Sequence, residues 1–167
     1  MLIFISVITT FTALNGQKSA NFYDSDRIAE LRLTFKAENW AEELDSLRLY
    51  GNTMMLAQAK IDGQYYKNIG VRYRGNKSFI TGSKRNSLHI NLNFIDQSQN
   101  HQGYQTIKIS NALRDPSMVR EVLGYEIARK YMPAPQANYV KVYVNEEYYG
   151  LFTVSYTHLT LPTICSV

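Results

Sequence analysis

The chain of 167 residues holds one cysteine, Cys165, so no disulfide can form within it and the fold must rest on its apolar core. Its three histidines, at 89, 101 and 158, are too few and too scattered for a zinc site. Charge of one sign is not in large excess. Eighteen Lys and Arg against 14 Asp and Glu give +4, which excludes a strongly basic DNA-coating protein and gives no argument for a nucleic-acid partner. No P-loop, dinucleotide fingerprint or nucleophile elbow is present, and no internal repeat or low-complexity tract. No apolar run reaches the roughly 20 residues of a membrane-spanning helix. Charge is also missing by place. Residues 1–17 and 154–167 carry none, and every charged side chain lies between Lys18 and Glu147.

What is there is a globular composition, 45% hydrophobic, of a size for one domain. Met1 to Leu14, MLIFISVITTFTAL, has the length of a secretory signal h-region and stops at Asn15-Gly16-Gln17. Residues 1–17 are therefore read as a signal peptide and the domain as exported to the periplasm, cell surface or exterior, with a buried N-terminal strand as the alternative. At the other end, VSYTHLTLPT from Val154 to Thr163 can be written in codons that match a transposon-end sequencing adapter in one frame. Residues 154–167 are accordingly expected to be an artefactual tail, so Cys165 and His158 carry no argument. The domain proper is then 18–153, without a cysteine, and is expected to be truncated.

Within it, Leu31, Leu33 and Phe35 alternate with polar residues and predict a strand. Asn39 as N-cap, with Trp40, Leu44 and Leu47 on one stripe, predicts a short helix. Asp62-Gly63 predicts a tight hairpin between strands at about 55–61 and 65–74. Leu88, Ile90, Leu92 and Phe94 keep a strict period of two, and Ile107 to Ser110 is a further short strand. Asp115-Pro116 opens a helix whose buried face is Val119, Val122, Leu123 and Ile127. Val140, Val142 and Val144 form a strand that turns at Asn145-Glu146 into Tyr148 to Val154. The fold class expected is α+β, a mostly antiparallel sheet with two helices.

One segment has the composition of an anion site. Arg72, Arg74, Gly75, Asn76, Lys77 and Ser78 put cationic side chains, turn amides and a hydroxyl in one place, a recipe for phosphate oxygens. An exposed strand face ending in a turn is the plain alternative. Lys84 and Arg85 add charge to the same place or sit in a solvated loop. Asp115 is most simply a helix cap. Arg120 and Glu121, in the first two turns of that helix, project toward a ligand or into water, and a helix Glu could pair with a phosphate-binding Lys as in kinases. The tyrosines suit stacking on sugars or half-buried strand packing.

Four ordered blocks, VRYRGNKSF, SKRNSLHINLNF, IKISNALRDPSMVREVLGYEIARKYM and APQANYVKVYVNEEYYGLF, resemble the N-terminal half of the CotH family from about Phe22 to Thr153. These are bacterial spore-coat-type proteins with an atypical protein-kinase-like fold. The family's Arg-Gly-Asn-x-Ser signature stands here as Arg74, Gly75, Asn76 and Ser78, and its basic residue before the next strand as Lys84 or Arg85. Its Asp-Pro-Ser-x-x-Arg helix start is Asp115 through Arg120, and Glu146 replaces a usual Gly in its last block. The resemblance implies the N-terminal lobe of a kinase that transfers phosphate from ATP, with Mg2+, to Ser or Thr of a protein substrate such as a coat or surface protein. It assigns nucleotide binding to Arg74, Gly75, Asn76, Ser78, Lys84, Arg85, Arg120 and Glu121. The catalytic and metal-binding carboxylates are expected in a later lobe, leaving this chain inactive by itself. A non-catalytic surface or coat scaffold and a carbohydrate-binding module remain the alternatives.

Overall fold

The computed structural model describes residues 21–83 and 85–156. The signal-peptide reading of 1–17, residues 157–167 and Lys84 lie outside the described residues. Seven strands form the architecture: β1 (Ala29–Thr34), β2 (Met55–Ile61), β3 (Gln64–Tyr73), β4 (Leu88–Asn91), β5 (Thr106–Ser110), β6 (Gln136–Val144) and β7 (Glu147–Tyr156). Two ten-residue helices accompany them, α1 (Trp40–Leu49) after β1 and α2 (Val119–Ala128) before β6.

The strands close on themselves in the order β1-β2-β3-β4-β5-β7-β6. All neighbours are antiparallel except β1 and β6, which run parallel with Leu31 opposite Val142 and Leu33 opposite Val144. This closed barrel overturns the expected α+β class, a mostly antiparallel sheet with two helices resembling the N-terminal lobe of a kinase-like fold. The reason is that β1 and β6, far apart in the chain, pair in parallel, so that no sheet edge is left exposed. Leu31, Ile61, Ile69, Val71, Ile90, Ile107, Ile109, Val140, Val142, Phe152 and Val154 are all fully buried inside. Each such side chain contributes roughly 1.5–3 kcal/mol of apolar burial.

Both ends are plugged. At one end Leu44 of α1 joins the core, and Trp40 stacks on Phe35 at 5.3 Å. At the other, Phe22 packs edge-on against His101 at 5.1 Å, and its carbonyl accepts from Nδ2 of the buried Asn138 at 2.9 Å. His101 Nδ1 meets the Tyr66 hydroxyl at 2.8 Å, and burial pushes the imidazole pKa down.

Several local expectations meet the structure closely. β2 and the Asp62-Gly63 hairpin stand where the alternation put them, with both turn residues at positive φ, 46° and 92°. Asn39 is the residue before α1 but makes no side-chain cap bond. The second helix differs more. It begins at Val119, after Met118 at φ 57°, rather than at Pro116, and only Val122 of its expected apolar face is buried. Val119, Leu123 and Ile127 remain 42%, 45% and 47% exposed. β7 runs past Thr153, and Val154 and Ser155 pair with both β5 and β6.

Candidate functional site

The turn after β3 carries the Arg-Gly-Asn-Lys-Ser run, and its shape is dictated by Gly75. That residue sits at φ 98°, and a Cβ placed on it would lie 2.1 Å from Ser78 Oγ. Only glycine allows the chain to fold back with the serine hydroxyl against its own backbone. Arg48 of α1 braces the turn, donating from Nη2 to Gly75 O at 3.0 Å and to Asn76 Oδ1 at 3.1 Å.

Two buried asparagines, which sequence reasoning did not single out, hold the loop that follows. Asn86 exchanges both amide atoms with the Ile80 backbone, at 3.0 and 2.8 Å. Asn111, just past β5, donates to Arg85 O at 2.9 Å and reaches Ser78 O at 3.4 Å. Their only sequence signal is a polar residue next to an apolar alternation, at the start of β4 and the end of β5.

The result is a cavity of about 450 Å³ lined by Lys77, Ser78, Ser110, Asn111, Arg114, Asp115 and Arg120, among others. Three cationic residues thus line one open cavity with Ser78 and Asn111. The single acid is already engaged. Asp115 accepts from the Ser117 hydroxyl and from Arg120 N at 2.9 Å, and its carboxyl is held below the usual range by the Ser117 bond first. Its Oδ1 also lies 3.7 Å from Arg120 Nε. Asp115 is therefore a cap to the first turn of α2, although it lies outside the helix proper. The Arg120 amide is taken by Asp115 and the Val119 amide donates to Ser117 Oγ at 3.4 Å, so neither is free for an anion in the cavity.

The remaining expected residues fall around this cavity rather than in it. Arg74, Gly75 and Asn76 form the turn above it. Arg85 leans on β7, donating to Leu151 O at 2.5 Å, with its guanidinium 5.3 Å from the Phe152 ring centre. Glu121 accepts from the buried Thr153 hydroxyl at 2.7 Å, which fixes α2 to β7 and leaves the carboxylate no phosphate-binding Lys partner among the described residues. Lys84 lies outside the described residues. No three His, Cys, Asp or Glu side chains come together as a metal site among the described residues.

The family model described as CotH kinase protein matches residues 71–155. The chain belongs to that family. No curated protein matches it. The stretch matched to CotH kinase protein holds the Gly75 turn, both loop-fixing asparagines, the Asp115 cap and β4 to β7, whereas β1, α1 and β2 precede it. The cavity at the end of β5 is thus built wholly from the part that carries the family's features. No described helix is long and apolar enough to cross a membrane.

Proposed function

We propose that this chain binds the phosphates of ATP in the cavity between the Gly75 turn and the start of α2, as the nucleotide-clamping part of a CotH-like kinase acting on protein Ser or Thr. The observation that carries the reading is that Lys77, Arg114 and Arg120 line one cavity with Ser78 and Asn111. Phosphoryl transfer rests mainly on positioning and charge neutralisation, and cations gathered before the chemistry meet that need. The donor set fits phosphate oxygens. It does not fit Mg2+, since the described residues gather no carboxylates for a metal, so no transfer step is assigned to them. Export by way of residues 1–17, and a coat or surface protein as substrate, belong to the same reading.

The packed aromatic cluster around Trp40 offers no face to a carbohydrate, the alternative reading. Trp40 lies flat on Phe35 and edge-on to Tyr149, which itself lies flat on Phe152. These rings spend their faces on one another, the geometry of packing rather than of a sugar platform.

Titration with ATP, adenosine and inorganic triphosphate tests the reading. ATP and triphosphate are expected to bind and adenosine not to. The double substitution Lys77→Gln with Arg120→Gln is expected to weaken ATP at least tenfold, the size of losing charge-assisted hydrogen bonds. Equal binding of adenosine and ATP, or no change in the double variant, would sink it.

A further inference from the structure

Beside the candidate cavity, two arginines from distant parts of the chain converge on a neutral atom. Arg48, in the last turn of α1, donates from Nη1 to Asn52 Oδ1 at 3.1 Å. Arg72, on the outer face of β3, donates from Nη1 to the same oxygen at 3.2 Å. The other contacts of both are neutral as well. Arg48 reaches Gly75 O and Asn76 Oδ1, and Arg72 Nη2 lies 3.4 Å from His89 Nδ1. Neither has a carboxylate within ion-pair distance among the described residues, and Arg48 Nε is enclosed without a hydrogen-bond partner.

The surroundings deepen the imbalance. Arg72 stands opposite His89 on β4, and His89 stands opposite Lys108 on β5, a row in which like charges would lie abreast. His89 escapes by staying neutral: burial first, then Arg72, Lys108 and Arg74, lower its pKa to about 4. Asp45, three residues before Arg48 on α1, accepts at Oδ2 from Gly82 N at 2.7 Å rather than from the arginines. Two guanidiniums held on neutral acceptors, with no carboxylate within ion-pair distance among the described residues, carry uncompensated charge, and the donors they do not spend on Asn52, Gly75, Asn76 and His89 suit a doubly charged oxyanion.

We propose that Arg48, Arg72 and Asn52 form a second anion site, across the boundary of the matched family stretch with Arg72 inside it and Arg48 and Asn52 before it, which takes a phosphate monoester carried on a protein side chain. The place argues for a carried phosphate. Asn52 is exposed, the site lies on the outside of the barrel, and the Phe79 ring is already faced by Arg48 at 5.8 Å. The proposal needs neither ATP nor the cavity below the Gly75 turn.

Asn52→Asp supplies the test, because it places a carboxylate where the proposed ligand's charge would go. The full chain is titrated with a phosphoserine peptide, its unphosphorylated twin, inorganic phosphate and ATP. The phosphopeptide is expected to bind saturably and its twin not to. Asn52→Asp and, separately, Arg72→Gln are expected to weaken the phosphopeptide at least tenfold while the thermal midpoint of Asn52→Asp rises. Lys77→Gln with Arg120→Gln is expected to leave the phosphopeptide unchanged, which separates this site from the nucleotide cavity. Equal binding of the two peptides, or undiminished phosphopeptide binding in both Asn52→Asp and Arg72→Gln, would overturn the proposal. Displacement of the peptide by an equal concentration of inorganic phosphate or ATP would overturn the assignment to a protein-borne phosphate.

Discussion

Gly75 combines two independent demands, and each has its own cost. Its φ of 98° is strained for any residue with a Cβ, and the Cβ itself would overlap Ser78 Oγ. Gly75→Ala is therefore expected to destabilise the protein by about 1–3 kcal/mol, measured by urea unfolding. Adding Ser78→Ala should return the part due to overlap and leave the part due to backbone strain, so the two substitutions are expected to be coupled by at least about 0.5 kcal/mol. A Gly75→Ala protein as stable as the parent would show the turn to be built differently. This much of the site was legible, because a glycine between cations after a strand announces a turn. The asparagines at 86 and 111 were not. A single Asn beside a strand signals only a local turn, and the atoms they hold belong to Ile80, Arg85 and Ser78, which meet them only once the loop has closed.

The β6–β7 hairpin shows what one residue does to an element. Its turn residues Asn145 and Glu146 sit at φ 47° and 68°, a conformation that suits asparagine and glycine and penalises glutamate. Asn145 is tied in twice, its amide donating to Leu33 O at 2.9 Å and its Oδ1 accepting from Phe35 N at 2.8 Å. The turn is thus fixed from outside and Glu146 must adopt its geometry. Against the strain stands an ion pair with Arg32 at 2.6 Å, but the Glu146 side chain is 74% exposed and such pairs contribute little. Glu146→Gly is expected to raise stability by about 1 kcal/mol, read as a higher urea midpoint with unchanged slope. A fall of that size would mean that the ion pair outweighs the strain. Strands were the elements most legible in sequence, since period two needs only neighbours a few places away. The start of α2 was not, because Asp115-Pro116 carries the usual opening signal, yet the chain makes a turn through Met118 before the helix begins. Its apolar stripe was read as buried on periodicity alone, although β6 and β7 cover only the side that bears Glu121 and Val122.

At the scale of the whole molecule, closure is the feature that local pattern could not supply. β1 meets β6 more than a hundred residues away, and nothing in either strand's alternation says which sheet edge its partner comes from. Seven amphipathic strands are compatible with an open sheet or a barrel; the choice is made by whether the first and sixth strands can pair in parallel once both ends are plugged. The neighbouring ladders β3-β4-β5-β7 hold the ends of β3, β5 and β7 together, which is what places the Gly75 turn, Asn111 and the Arg85 contact around one cavity. Native-state hydrogen exchange distinguishes the two architectures. In a strand paired on one side only, every second amide faces solvent and exchanges quickly; in the barrel, β1 donates alternately to β2 and β6. The consecutive amides of Leu31, Arg32 and Leu33 are therefore all expected to exchange as slowly as those of β3 where it pairs with both β2 and β4, near the rate set by global unfolding. An alternating fast and slow pattern along β1 would return the molecule to an open sheet. Because β6 would then lose its pairing with β1, the Asn145 anchor to Leu33 and Phe35 would go with it, and the gain expected from Glu146→Gly would shrink in the same protein.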